Sequence, residues 1–237
     1  MAKDLEKGKT REIAGTVDAF VQALRRAAVV KPAGRRGRLI FALDATASRQ
    51  PAWDRACQIQ GQMFAETEAL GGLDVQLVYY RGFGECKAAP WVSDSKQLIR
   101  LMNSVSCLGG QTQIARVLGH GLGEAAQRKI NALVFVGDCM EEDPDVLCHQ
   151  AGQLGLKNLP VFIFHEGSDA NARRTFEQIA KLSGGACCQF DSGSPQVLRE
   201  LLSAVAIYAA GGRRALVEFA GKTGGEVLAL TKQVKQA

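Results

Sequence analysis

Three short clusters bring together the side chains best suited to chemistry. The first is Asp44, Thr46 and Ser48, an acid followed by hydroxyls at every second position. The second is the turn Gly109-Gly110-Gln111-Thr112, and the third is Gly137-Asp138. Together they offer two carboxylates and three hydroxyls, with Cys139 as the nearest sulfur. An all-oxygen set of low charge suits a hard cation such as Mg²⁺, or Mn²⁺, which keeps bound waters and accepts an oxygen from outside.

The elements around these clusters explain why they should meet. "RLIFALD" (38–44) is a continuous apolar run and reads as a strand buried on both faces, "INALVFVGD" (130–138) as another buried strand, and "LDVQLVYYRG" (73–82), "LPVFIFHEG" (159–167) and "GACCQFD" (185–191) as further strands. Helical stretches are expected at 51–70, 95–106, 113–128, 145–156, 171–182 and 195–210. Pro51 suits a first turn and Gly71-Gly72 a stop. "FGECKAAPW" carries Pro90 after a Gly-x-Gly turn, which predicts an antiparallel edge strand. Strands alternating with helices define an α/β class, a doubly wound and mostly parallel sheet with helices on both faces. In such sheets ligands bind beyond the carboxyl ends of the strands, where all three clusters fall.

Charge is uneven along the 237 residues. The formal +5 divides into +6 over residues 1–38 and −1 over the rest, so the basic character belongs to the N-terminal segment. That segment has Ile13, Val17, Phe20, Leu24 and Ala27 at helical spacing, which predicts one amphipathic helix before the basic linker "KPAGRRGR". Nucleic acid is not expected as a partner, because the basic arm lacks interleaved aromatics. The seven cysteines include no C-x-x-C pair and read as small core residues of a reducing cytoplasm. "MAKDLEKGKTRE" has no signal-peptide core, and "LLSAVAIYAA" is about half a membrane span in length, so no membrane role is expected.

D-x-T-x-S at 44–48, Gly-x-Thr at 110–112 and Gly-Asp at 137–138 resemble the metal-ion-dependent adhesion site of the von Willebrand factor type A domain, of the bacterial intracellular type. The resemblance covers residues 37–211, leaving 1–36 as helix and linker and 212–237 as a helical tail. It implies that Thr46 and Ser48 bind the metal directly, that Asp44 and Asp138 act largely through water, and that Thr112 joins when the site is liganded. It further implies a non-enzymatic module whose metal captures an Asp or Glu of a protein partner. An AAA+ ATPase or a chaperone is a partner of the kind the family suggests. Thr46 stands where the family usually has serine, and Arg49 where it often has a bulky apolar residue. Arg49, Gln111 and Glu141 are expected on the rim that a partner meets.

A different class competes. Haloacid-dehalogenase-like phosphatases also place an aspartate after the first strand, which would make Asp44 a nucleophile with Mg²⁺ held by Asp44, Asp138 and Asp143. That class usually needs an acid two residues after the nucleophile, where this chain has Thr46. An RNA-associated role is a third option. The run Glu141, Glu142, Asp143, Asp145 reads as a solvated helix start, and His165-Glu166 as a rim pair.

Overall fold

The computed structural model describes residues 36–190 and 195–234. The helix expected over 13–27, and the linker before Arg36, lie outside the described residues.

Strand β1 (Gly37–Asp44) leads through a short 3₁₀ turn (Ala47–Arg49) into α1 (Gln50–Ile59) and α2 (Gly61–Thr67). β2 (Leu73–Arg81) and β3 (Glu85–Val92) form a hairpin, followed by α3 (Ser95–Asn103) and α4 (Ile114–Gln127). Then come β4 (Ala132–Gly137), α5 (Pro144–Leu156), β5 (Val161–Glu166), α6 (Ala170–Ser183) and β6 (Ala186–Phe190). α7 (Pro195–Thr223) and α8 (Gly225–Gln233) close the chain. The sheet order is β3-β2-β1-β4-β5-β6, and every pairing is parallel except β2 with β3. The expected doubly wound sheet with one antiparallel edge strand is therefore the observed one.

Strand periodicity divides the core. Leu39, Phe41 and Leu43 of β1 join a cluster with Trp53, Met63, Leu98, Leu201 and Val205 on one face. Ile40 and Ala42 join Val117, Leu147, Leu154, Phe176 and Ile179 on the other. A strand lying between two helical layers needs apolar residues at every position, and that is why "LIFAL" is continuous.

Local chemistry sets the helix ends. Asp94 and Asp169 cap α3 and α6 by accepting the amides of Gln97 and Ala172, and Gly184 closes α6 in the left-handed region at φ 82°. The single helix expected over 51–70 is instead interrupted at Gln60, whose buried side chain donates to the Ser95 carbonyl. Gly212, at φ 74°, kinks α7 where the helix was expected to end. The tail beyond it is packed: Leu216, Ala220, Val227, Leu230 and Val234 are buried in the same cluster as β1. On the outer side of β6, the Gln233 amide accepts from the Cys187 N–H (2.8 Å) and donates to the Cys187 carbonyl (3.0 Å). Of the seven cysteines Cys188 is fully buried, and Cys57, Cys86, Cys107 and Cys187 are half-buried against the two core clusters, so most serve the core as expected. Among the described residues, no helix is long and apolar enough to cross a membrane.

Candidate metal centre

β1 lies between β2 and β4, so the chain leaves it in one direction to form β2 and β3 and returns on its other side to form β4. A crevice opens above the sheet at such a reversal. Asp44 ends β1 on one side of it, and Asp138 follows Gly137 at the end of β4 on the other.

Four of the expected residues are linked there. The Asp44 Oδ1 accepts the Thr46 amide at 2.7 Å, which fixes the turn after the strand. Thr46 Oγ1 and Ser48 Oγ are 3.5 Å apart, and Ser48 Oγ donates to Asp138 Oδ2 at 3.1 Å. The second Asp44 oxygen accepts the buried Tyr80 hydroxyl at 3.0 Å. Burial pushes the Asp44 carboxyl above the ordinary carboxylate range, and the bonds from Thr46 and Tyr80 only partly offset this. Tyr80 is itself held well above the usual phenol range by burial and by the Asp44 charge.

Thr112 is held differently. Its Oγ1 accepts the Glu141 amide at 3.1 Å while its own amide donates to Glu141 Oε2 at 3.0 Å. This reciprocal pair ties the Gly-rich turn to the segment after β4. The turn also leans on the β2–β3 hairpin: the Gln111 amide donates to the Gly82 carbonyl at 3.2 Å. A Cβ on Gly110 would lie 2.0 Å from that carbonyl oxygen, so only glycine permits the approach. Gln111 itself is exposed.

Two expectations need correction, and a third needs it in part. Arg49 is not on the rim; it is 3% exposed and its guanidinium pairs with Glu166. The 3₁₀ turn aims it inward because a buried carboxylate at the end of β5 needs a counter-charge. His165 and Glu166 are buried too, not a rim pair: His165 Nε2 lies 3.1 Å from the Asp138 carbonyl oxygen, and Arg55 reaches Glu166 at 3.1 Å. Burial lowers the His165 imidazole below its ordinary pKa, against the bond to the Asp138 carbonyl and the charges of Asp169 and Asp138. The acid run after β4 does start a helix, with Glu141, Asp143 and Asp145 exposed as expected, but Glu142 serves a different one. Glu142 accepts the amides of Ile114 (2.5 Å) and Ala115 (2.9 Å), capping α4, which has no side-chain cap of its own. Asp143 caps α5 by accepting the Asp145 amide at 2.9 Å.

These contacts also bear on which group could be held. Asp138 Oδ1 is buried without a hydrogen-bond partner, next to hydroxyls and a second carboxylate. An unpaired buried carboxylate oxygen is costly, and a cation would satisfy it. Burial, with the charge of Asp138 and a hydrogen bond to that carboxylate adding to it, pushes the Cys139 thiol up to about 12 and so disfavours its thiolate. No group of three His, Cys, Asp or Glu side chains is gathered among the described residues. A cation here would rest on hydroxyls together with two carboxylates, and the donor set fits Mg²⁺ or Mn²⁺.

No protein-family model matches the chain, and no curated protein matches it by sequence. Solved structures match it in fold. A von Willebrand factor type A protein from Catenulispora acidiphila superposes with a TM-score of 0.60 at 13% identity, over 72% of this chain and 43% of that one. The SpRpn10 VWA domain gives 0.56 at 12% identity, over 75% and 98%. Proximal thread matrix protein 1 from the mussel byssus, in a form whose MIDAS motif is occupied by zinc, gives 0.56 at 14% identity, over 75% and 47%. This chain thus spans less than half of the first and third and nearly all of the second. Its fold is that of the von Willebrand factor type A domain.

Proposed function

We propose that this chain is a protein-binding module in which the Asp44–Ser48 turn and Asp138 hold Mg²⁺ or Mn²⁺, and through it an Asp or Glu of a partner. The observation that carries this reading is the unpaired, buried Asp138 Oδ1 beside the hydroxyls of Thr46 and Ser48. Thr46 and Ser48 are the direct ligands, Asp44 and Asp138 act largely through water, and Thr112 joins once a partner is bound. The cation supplies a positive centre with a place for one outside oxygen. The protein's own part is to fix the hydroxyls: Asp44 holds the turn through the Thr46 amide, and Tyr80 holds Asp44.

A macromolecular partner is favoured over a small anion by the surface beside the site. Phe83, at the β2–β3 turn, is 84% exposed, and Leu108, whose amide donates to the Ala45 carbonyl, is 54% exposed. Large apolar side chains held in water next to a polar centre mark a contact surface. The role is non-enzymatic, as a scaffold or adaptor, and an AAA+ ATPase or a chaperone is a partner class that suits it. The cytoplasm is the compartment we assign, supported by seven free cysteines.

The test uses the whole chain and Mn²⁺. Saturating metal is expected to raise the melting temperature by mass action, and Ser48→Ala to lose the shift. Generic phosphate monoesters should not be hydrolysed above background. An unchanged shift in Ser48→Ala overturns the site; turnover that vanishes with Asp44→Asn moves the chain to the phosphatase class.

A further inference from the structure

Among the described residues, Arg49 is the positive group of the crevice that lies against Asp138, and it works against a cation there. Its guanidinium is nearly inaccessible, with a side chain 4% exposed, and it pairs with Glu166 while lying 3.8 Å from Asp138 Oδ2. Arg55 holds the other oxygen of Glu166 at 3.1 Å. Five charged side chains meet at these strand ends, Asp44, Asp138, Glu166, Arg49 and Arg55, and their formal charges sum to −1. Without Arg49 they would carry −2. The Asp138 carboxylate is thus shared among a hydroxyl, a fixed guanidinium and whatever else the crevice admits.

We propose that Arg49 is a resident cation that competes with the divalent metal for Asp138 and sets how tightly the metal is held, with Glu166 as the anchor that restrains it. This rests on the metal reading given above. At 3.8 Å the guanidinium already supplies Asp138 with much of the positive potential a metal would bring. The metal must therefore enter a crevice whose charge is half neutralised. Once in, it leaves the five groups at +1, and an incoming carboxylate restores neutrality. Low affinity for metal alone and a strong pull on an acidic partner are two results of the same charge count. Glu166 opposes Arg49 in this balance: it draws the guanidinium off Asp138 and cancels its charge.

Substitutions on the two sides of this balance should act with opposite signs. Titrating Mn²⁺ by calorimetry, Arg49→Met is expected to tighten binding roughly tenfold or more, because the groups go from −1 to −2. Glu166→Gln is expected to weaken it by a similar factor, since the charge falls to zero and Arg49 is free to close on Asp138. The double variant returns to −1 and should bind close to wild type. A purely structural ion pair gives another pattern, in which both single variants lower stability and shift affinity the same way or less than twofold. That pattern overturns the proposal and leaves the metal reading standing. Binding in Arg49→Met with none in wild type supports the proposal while removing the metal from the wild-type function. No binding in either overturns both. If Arg49→Met does not fold, Glu166→Gln alone decides, since unchanged or tighter binding there contradicts the role assigned to Arg49.

Discussion

Replacing Phe135 with alanine is expected to lower the unfolding free energy by roughly 3–5 kcal/mol, a large fraction of the stability of a domain this size. The ring is 1% exposed and lies at the centre of β4. It stacks on Tyr80 with centroids 6.2 Å apart and meets Phe176 edge-on at 5.8 Å. It also lies directly under Gly137, where a Cβ would come within 2.6 Å of Phe135 Cζ. Three elements on one face therefore close on a single ring, and β-sheet backbone cannot move in to fill the hole. The damage should reach the crevice, because Tyr80 would lose the neighbour that fixes its ring and with it the geometry of its bond to Asp44. Phe135→Leu keeps most of the volume and should cost less than half as much. Urea unfolding of the three proteins measures this; a loss below about 1 kcal/mol for the alanine variant would show that neighbouring side chains collapse into the space.

Asp44→Ala is expected to abolish metal-induced stabilisation altogether, a loss of about 2.7 kcal/mol when free metal stands at a hundred times its dissociation constant. Without metal the effect should be much smaller, since two changes oppose each other. A buried carboxylate that resists ionisation is removed, while the Tyr80 hydroxyl loses its acceptor. Asp44→Asn keeps an acceptor for Tyr80 and should be closer to neutral. The pH dependence gives the sign. Because burial raises the folded pKa of Asp44, the metal-free fold gains from this group when it is protonated, and loses that gain as pH rises through the raised value. The Asn variant should lack this part of the profile. Metal opposes the same trend by favouring the ionised form, so wild type with saturating Mn²⁺ should lose stability as the carboxyl protonates. Thermal melts across acid pH, with metal and with chelator, test both statements, and an equal metal shift in Asp44→Ala excludes Asp44 from the site.

Much of the fold was legible because it depends on local pattern. Continuous apolar runs marked strands covered on both faces, and Pro90 after a Gly-x-Gly turn marked the antiparallel edge. The turn Asp44 to Ser48 could be read as a unit for the same reason, since its internal bond spans only two residues. What escaped was pairing across distance. Arg49 and Glu166 are far apart in the chain, and nothing in the residues around either one announces the other. By its place in the sequence Glu142 belongs to its own helix, since an acid run before a helix usually does, yet it caps α4, whose first amides come 28 residues earlier. The absence of a capping side chain at Gln113 was the one available hint. Tyr80 gave no sign at all, as an aromatic in a strand is usually core, and its hydroxyl matters only because β2 lies beside β1.

The bidentate grip of Gln233 on Cys187 makes the C-terminal helix a stopper for polymer growth. An open parallel strand offers its backbone to any extended chain that drifts past, and copies of the same protein are the most abundant candidates at high concentration. Here one amide side chain imitates the next strand for a single residue and ends the ladder in the molecule itself. At the opposite margin Pro90 lacks the N–H that such growth requires. Replacing Gln233 with alanine, which leaves the buried Val227, Leu230 and Val234 in place, should therefore make the protein assemble more readily as it is concentrated, read by light scattering. If the Gln233→Ala protein scatters no differently from wild type, some other group closes the β6 margin.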